Sequence, residues 1–505
     1  MPADVTRVAI DLRAPRVKID RRIYGHFLEE LGRMVTGGLF PEAGSKAPTH
    51  GIGYRTDTWE ACRDLRPMQV RWPGGCFADV YHWRDGVGAF RRPSYPNRFW
   101  GHWLGPSWGP PVRNELGTDE FLALCRDWSA EPYLCVNAGD GTAEEAAGWV
   151  EHVKRAADGS SRLPHCRLWS IGNEQFGPWE HGHTTARGYA GRYRRFRAAM
   201  RSVDPSIETV VNGSDSLGSR WNERVLEIVA SETDYLSVHS YLPQDYRVTQ
   251  ILGRPEPSVA AWYSTLSVGA TLLAKLEAHE ALVRRVAGRT IPLAVDEWNL
   301  WWSFKQAIRP RPCLRDSLGA ALILMTFQRR ADLVRIANLS SLVNVIAPPV
   351  LTDRDHVART SLFHVFRLFT DHALEQRVPS LVVRGPSYSA ARLKGIRPVD
   401  RAPLVEASAT ASADGTRAAV FLLNRHHELP ARVELDYQGG SPSGDATLAW
   451  VGGPSMTAEN WPGRDALVET RRSEIARGRA QEIELPPRSI AVLAHPLTTS
   501  RPSPA

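Results

Sequence analysis

"EPYLCVNAGDGTAEEAAGWVEHVKRAADGSSRLPHCRLWSIGNE" (131–174) sets a helical pattern between two short apolar runs. The runs at 131–139 and 167–174 have the length of buried strands. Between them, 142–157 repeats apolar residues at helical spacing. Thr142 is its expected N-cap, with Glu145 three residues on. A strand, a helix and a further strand make a βα repeat. The rhythm continues in both directions. Strand-like runs at 21–30, 68–75, 209–215, 234–241, 291–298 and 334–344 bring the number to eight. The helical stretch 315–331, "RDSLGAALILMTFQRRA", is apolar enough to pack hard against a sheet. Eight βα units over 20–375 predict an α/β fold, a (β/α)₈ TIM barrel. A doubly wound open sheet is the alternative.

The texture changes after residue 376. Short strands at 417–425, 431–437, 446–453 and 489–497 are separated by Gly, Pro and Ser. They predict a C-terminal antiparallel β-sandwich, jelly-roll-like, over 376–497. "TRVAIDL" (6–12) and "RVKID" (16–20) precede the barrel and are expected to join it, so 1–19 belongs with the sandwich. The tail 498–505, "TTSRPSPA", is expected to be disordered.

The chain has 505 residues, 43% apolar and 23% charged, which describes an ordinary globular protein. No apolar run of about 18 residues suggests a membrane span. The first residues lack the basic-then-apolar pattern of a secretory signal, so a cytoplasmic location is expected. Cys62, Cys76, Cys125, Cys135, Cys166 and Cys313 are scattered without a C-x-x-C spacing, which argues for buried reduced thiols and against zinc. The net charge of +7 and the cluster "RYRRFR" (192–197) raise nucleic acid as a partner. An outward helix face explains that cluster better, and no nucleic-acid motif accompanies it.

Chemistry in a barrel belongs at the C-terminal ends of the strands. Those ends are unusually polar here. They carry Glu29 and Glu30, then Arg71 leading into "PGGC" (73–76), then Asn137, then Asn173 with Glu174. His239 and Tyr241, Asp296, Glu297 and Trp298, and Asn344 complete the ring. Buried polar groups are costly unless paired or used. Glu174 on the fourth strand and Glu297 on the seventh face each other across the mouth. Two facing carboxyls suit glycoside hydrolysis, one protonating the leaving oxygen and the other attacking or stabilising the anomeric carbon. A gap of about 5–5.5 Å means retention of configuration and a wider one inversion. One carboxyl must hold a proton while its partner stays ionised, so their surroundings must differ.

Several long segments now identify a family. "IYGHFLEELGR" (23–33), "RWPGGCFADVYHWRDGVG" (71–88), "WSIGNEQFGPW" (169–179), "DYLSVHSY" (234–241), "LAVDEWNLWW" (293–302) and "RIANLSSLVNVIAP" (335–348) resemble glycoside hydrolase family 51, the α-L-arabinofuranosidases. The resemblance runs in order to "ELPPRSIAVL" (484–493) and covers nearly the whole chain. It implies a retaining enzyme with Glu174 as acid/base and Glu297 as nucleophile. Asn173 falls where the sugar 2-hydroxyl is bound. Glu29, Arg71, Cys76, His239, Tyr241 and Trp301 fall on positions that line or support the furanose pocket. In that reading Arg71 sits under the carboxylates, Tyr241 donates to the nucleophile and Trp301 forms an apolar wall. Glu29 has the alternative of a structural salt bridge, and Cys76 that of a plain buried thiol. His239 is expected to orient rather than shuttle a proton. His181 and His183 suggest a metal, but no third ligand appears, so neither metal nor cofactor is expected.

The chain also departs from the family pattern. Ser341 stands where a sugar-contacting Gln is common, Ser240 follows the strand-six histidine, and Phe363 replaces a frequent Tyr. The aromatic stretch 91–111 follows strand two and should overhang the pocket, with Trp100 and Trp103 as candidate platforms for an aglycone sugar. The expected activity is exo release of terminal non-reducing α-L-arabinofuranosyl residues from arabino-oligosaccharides. The alternatives are an endoglucanase, β-xylosidase or other furanosidase on the same scaffold, and a non-catalytic carbohydrate-binding protein. A homo-oligomer, a hexamer by resemblance, is expected.

Overall fold

The computed structural model describes residues 5–89, 91–159, 163–243 and 256–499. Eight parallel strands close into a barrel. They are Gly25–Phe27, Gln69–Trp72, Glu131–Val136, Leu168–Ile171, Glu208–Val211, Tyr235–Leu242, Leu293–Leu300 and Val334–Leu339. They follow one another in chain order, and the last pairs with the first through Asn338 against Gly25 and Leu339 against His26. Closure removes both sheet edges and rules out the open doubly wound sheet. Each expected strand run supplies one barrel strand. The first is shorter than expected, because Arg21–Tyr24 is a 3₁₀ turn in which Asp20 accepts from the Arg22 N–H.

Helix Ala143–Asp158 begins where expected, with the Thr142 side chain accepting from the Glu145 N–H. The "RYRRFR" cluster lies in helix Ala186–Val203, whose Tyr189, Tyr193, Phe196 and Met200 face the core; Arg194 and Arg195 point outward, whereas Arg192 is half-buried and donates to the Ala138 and Gly182 carbonyls. Helix Leu314–Arg329 is buried on every face from Leu314 to Gln328. It runs between the barrel and sandwich strands Val405–Ala411 and Arg417–Asn424, so a mostly apolar helix without a solvent face is what its position requires.

The C-terminal domain is two stacked sheets. One holds Ser380–Arg384, Thr6–Asp11, Ala431–Gln438 and Glu482–Leu485. The larger is centred on Val405–Ala411, Arg417–Asn424, Ser489–Thr499 and Ala446–Gly452. Val8, Ile10 and Leu435 from one meet Leu422, Leu448 and Leu493 from the other in a separate core. The N-terminal strand joins the sandwich, and Val17–Lys18 pairs with Gln376–Val378. The domain is not wholly antiparallel: Thr6–Asp11 runs parallel to Ala431–Gln438. The two are far apart in sequence, so no hairpin dictates their direction. The last strand continues through Thr498, which pairs with Ser441, so the expected disordered tail begins two residues too early. Residues 500–505 lie outside the described residues.

All six cysteines are buried and free. No helix among the described residues is long and apolar enough to cross a membrane.

Candidate active site

A cavity of about 620 Å³ opens at the C-terminal end of the barrel, lined by residues from strands one, two, four, six, seven and eight and their loops. Glu297 forms its floor. Its Oε1 accepts from Arg71 Nη1 at 2.7 Å and its Oε2 from the Tyr241 hydroxyl at 2.7 Å. Arg71 is fully buried, and its other arm donates to Asn173 Oδ1 at 2.9 Å. Its Nε lies 3.8 Å from Asp296 Oδ2. Asp296 also accepts from the hydroxyls of Tyr133 at 2.7 Å and Ser237 at 2.6 Å. Burial opposes its charge, but Arg71 and His239 outweigh burial and hold the carboxyl down at about 2.

Adjacent strand residues normally point to opposite faces, yet Asp296 and Glu297 both reach this cluster. The pairing register slips between Val295 and Trp298 on one side and between Ser237 and His239 on the other. Such a bulge re-aims side chains.

Glu174 stands opposite, in the left-handed region at φ 40°, just past Gly172 at φ 71°. A non-glycine residue there is strained by on the order of 1–2 kcal/mol. The turn is held by Asp79, which accepts from the N–H groups of Ala138 and Asn173 at 2.9 and 3.0 Å and from Gln175 Nε2 at 2.7 Å. Glu174 Oε1 lies 2.7 Å from His239 Nδ1, and Oε2 accepts from Trp179 Nε1 at 2.9 Å. Burial works against a charge on His239, but Glu297, Asp296 and Glu174 outweigh it and push the imidazole up to about 10. That environment favours a charged imidazole able to donate to Glu174. Oxygens of Glu174 and Glu297 and the His239 nitrogen all lie within 4.8 Å of one another. So close an approach is in keeping with the short carboxyl separation of a retaining enzyme.

The remaining expected site residues divide. Glu29 lines the cavity and accepts from the Phe77 N–H and Trp100 Nε1, both at 2.8 Å. No arginine pairs with it among the described residues. Burial first, and the Glu297 charge after it, push it up to about 8. Cys76 is in the wall, 3.7 Å from Asn173 Nδ2, and burial with surrounding carboxylates drives its thiol well up, so it is no thiolate nucleophile. Trp301 packs edge-on against Tyr241 at 5.0 Å. Trp100 and Trp103 both line the cavity, on the short helix Trp100–Leu104.

Ser341 does not line the cavity. It is fully buried, and its neighbour Ser340 takes the pocket position, 2.9 Å from the Tyr241 hydroxyl. Ser240 is buried away from the pocket as well. Phe363 lies at the opposite end of the barrel, in a cleft with Met68 and Arg472 under the Arg359 guanidinium. None of the three departures touches the cavity. His181 sits 3.4 Å from Asp140 and His183 bonds the Gln175 carbonyl, so they share no ligand. Among the described residues, donor groups close enough to hold a metal are Glu174–His239–Glu297 and Cys76–Glu174–Glu180. Both contain Glu174. Sequence reasoning did not single out Asp79, Trp179, Glu180 or Ser340 as site residues. The signal for Trp179 and Glu180 was their place within one turn of Glu174, whereas Asp79 acts only through the strand-four turn.

A closed (β/α)₈ barrel with facing carboxylates at its mouth defines a glycoside hydrolase. Comparison with known proteins narrows the class. The model of the α-L-arabinofuranosidase 1 domain matches residues 61–251, and that of the α-L-arabinofuranosidase C-terminal domain matches 296–489. An intracellular exo-α-L-arabinofuranosidase of Bacteroides ovatus is 30% identical over 79% of this chain and 77% of its own. An intracellular exo-α-(1→5)-L-arabinofuranosidase of Bacillus subtilis is 30% identical over 86% and 87%. The α-L-arabinofuranosidase of Thermotoga maritima, solved with arabinose, superposes with a TM-score of 0.84 at 29% identity, covering 97% of this chain and all of that one. The chain belongs to the α-L-arabinofuranosidases of glycoside hydrolase family 51.

Proposed function

We propose that this protein is a retaining exo-α-L-arabinofuranosidase that releases terminal non-reducing α-L-arabinofuranosyl residues from arabino-oligosaccharides, with Glu297 as nucleophile and Glu174 as acid/base. The observation that carries the assignment is the unequal clamping of two carboxylates within 4.8 Å. Glu297 is gripped by Arg71 and Tyr241, which favours an ionised, oriented oxygen. Glu174 answers to His239 and Trp179 beside the open part of the cavity.

The local charge balance supports the same roles. Among the described residues, Arg71 and His239 pair with the carboxyls of Glu174, Asp296 and Glu297. As the acid of the pair, Glu174 supplies a proton to the leaving oxygen. Glu297 attacks the anomeric carbon and forms the glycosyl-enzyme, while that proton passes to the leaving oxygen. Glu174, now ionised, takes a proton from water, and the resulting hydroxide displaces Glu297 from the sugar. Asn173, fixed by Arg71, is set to hold the 2-hydroxyl, a bond that tightens as charge develops. The intracellular names of the Bacteroides and Bacillus relatives support work on imported oligomers in the cytoplasm. A homo-oligomer is part of this reading.

The test is turnover of 4-nitrophenyl α-L-arabinofuranoside. Glu297→Ala should lose activity by ~10³-fold or more. Glu174→Ala should be rescued by azide, yielding an arabinofuranosyl azide of retained configuration. Full activity in either variant defeats the assignment. The other-glycosidase reading drew on Ser341 and Ser240, which do not reach the pocket, and the binding-protein reading leaves this charge arrangement without a purpose.

A further inference from the structure

A second cleft, of about 700 Å³, lies at the N-terminal end of the barrel and shares no lining residue with the catalytic cavity. Both domains build it. Arg21 precedes strand one, Arg63 and Asp64 lie in the last turn of helix Thr56–Leu65, and Arg66 caps that helix. Arg359, Arg367 and Asp371 stand before and along helix Ser361–His372. Sandwich strand Thr470–Ile475 closes the cleft with Thr470 and Arg472. The glycosidase chemistry makes no use of any of these groups.

Among the described residues, six arginines and three aspartates line this cleft. Three of the arginines crowd one carboxyl. Asp371 has Arg367 Nη2 at 2.9 Å, Arg66 Nη1 at 3.2 Å and Arg472 Nη2 at 3.8 Å. A single carboxylate cannot neutralise three guanidiniums, and a further anion relieves their mutual repulsion. Asp64 has two, with Arg359 Nη2 at 2.5 Å and Arg63 Nη2 at 3.9 Å. Asp127 is engaged outside the cleft by Arg126 at 2.9 Å. No carboxylate pairs with Arg21 among the described residues. Two of the guanidiniums are also held in place by aromatic rings. Arg359 lies over Phe363 at 5.3 Å and Arg63 over Trp59 at 5.0 Å. Phe363, which has no part in the catalytic cavity, thereby has one here. Groups fixed in advance lose less freedom when a ligand arrives. His364, in the same wall, keeps a buried Nε2 without a hydrogen-bond partner among the described residues.

We propose that this cleft binds a small polyanion carrying two or more linked phosphate groups. The arginines gather at two places, around Asp371 and around Asp64, and so call for two anionic groups. The planar guanidinium fork matches phosphate oxygens. The volume is that of a small-molecule site and well beyond the size of one phosphate ion. A nucleic acid fits less well, because Trp128 and Phe363 are buried and offer no open ring face on which a base could stack. A ligand seated there joins the base of the barrel to the sandwich, so its occupancy stabilises the fold.

Isothermal titration calorimetry on the full chain, at fixed ionic strength, compares inorganic pyrophosphate, ADP and orthophosphate. Pyrophosphate should bind once per chain, about tenfold or more tighter than orthophosphate, and should raise Tm. ADP as tight as pyrophosphate points to nucleotides as the source, and weaker ADP to inorganic polyphosphates; both sustain the proposal. Arg66→Ala and Arg472→Ala should each weaken pyrophosphate about tenfold or more while keeping the wild-type circular dichroism spectrum. Arg472→Lys should recover only part of the loss, since an ammonium lacks the fork. The proposal is overturned if pyrophosphate does not bind, binds no tighter than orthophosphate, or binds the alanine variants as it binds wild type. It is overturned equally if a single-stranded oligonucleotide competes with pyrophosphate and binds tighter. The same holds if the alanine variants split an oligomer in sedimentation velocity, which would make the cleft a contact between copies of this chain.

Discussion

Arg71 is the residue on which most of the site hangs. It is buried on strand two and ties Glu297, Asn173 and Asp296 together. Removing one partner of a buried ion pair leaves the others uncompensated, at about 3–5 kcal/mol. Arg71→Met should therefore lower both Tm and kcat, the latter by ~10²-fold or more. Arg71→Lys should recover the fold better than the activity, because a single ammonium cannot span both carboxylate and carboxamide. Thermal unfolding and steady-state kinetics on the two variants check this. A smaller effect belongs to Tyr241→Phe, which removes one neutral donor to Glu297 and should cost kcat ~10-fold or more with little change in Tm. At this scale the sequence was readable for groups that carry chemistry themselves. Glu174, Glu297, Arg71 and Tyr241 sit at strand ends, where alternation predicts what faces the mouth. It was not readable for Ser340 and Ser341, since one residue of register in the turn after strand eight decides which reaches the cavity. Asp296 was visible as a strand-end residue, but its part in the charge cluster depends on a register slip with no signature in the sequence.

The element that most constrains the site is the turn "PGGC" after strand two. Gly74 has φ 113°, and a Cβ there would meet Glu29 Cβ at 2.5 Å. Gly75 has a different reason to be glycine: a Cβ would come within 2.8 Å of Glu297 Oε1. Gly75→Ala should displace the nucleophile while leaving the barrel folded, lowering kcat about 10²-fold with Tm nearly unchanged, because small misplacements of reacting groups are costly. Gly74→Ala should instead lose stability as well, since it strains the backbone and collides with a neighbouring element. Kinetics paired with calorimetry separate the two. Whole elements were the most legible feature of this chain. Strands and helices announce themselves by period, and Thr142 caps its helix as its spacing requires. Their ends were less so. Strand one begins only at Gly25 because Asp20 turns the preceding residues, and strand Ser489–Thr499 outruns its apolar core because Ser441 and Gly440 are there to pair with it.

At the scale of the whole molecule, the buried carboxyls set the pH at which it is most stable. Two groups act in opposite directions. Asp215, Asp296 and Glu406 are held down at about 2, against burial, by Lys275, by Arg71 and by Arg329 with Arg425 respectively. Their contribution is complete above the unfolded carboxylate value of about 4 and is lost as pH falls toward 2. Glu29 and Glu30 are pushed up to about 8 and Asp79 to about 7, chiefly by burial. These are protonated in the folded protein where the unfolded chain has already ionised. The unfolded state then binds fewer protons, so stability falls as pH rises from about 4.5 to 8. His239, raised to about 10, acts in the same direction, its contribution fading from about 6.5 upward. Stability should therefore peak near pH 5 and decline toward pH 8. Glu30 offers the cleanest probe, because it is buried beside Glu115 yet lines no part of the catalytic cavity. Each tenfold gain in proton affinity on folding is worth about 1.4 kcal/mol, so Glu30 alone contributes on the order of a few kcal/mol to that decline. Glu30→Gln should flatten the Tm profile between pH 5 and 8 and raise Tm at pH 8 relative to wild type. A variant whose Tm falls in parallel with wild type across that range would show that Glu30 is ionised in the fold and that the decline has another source.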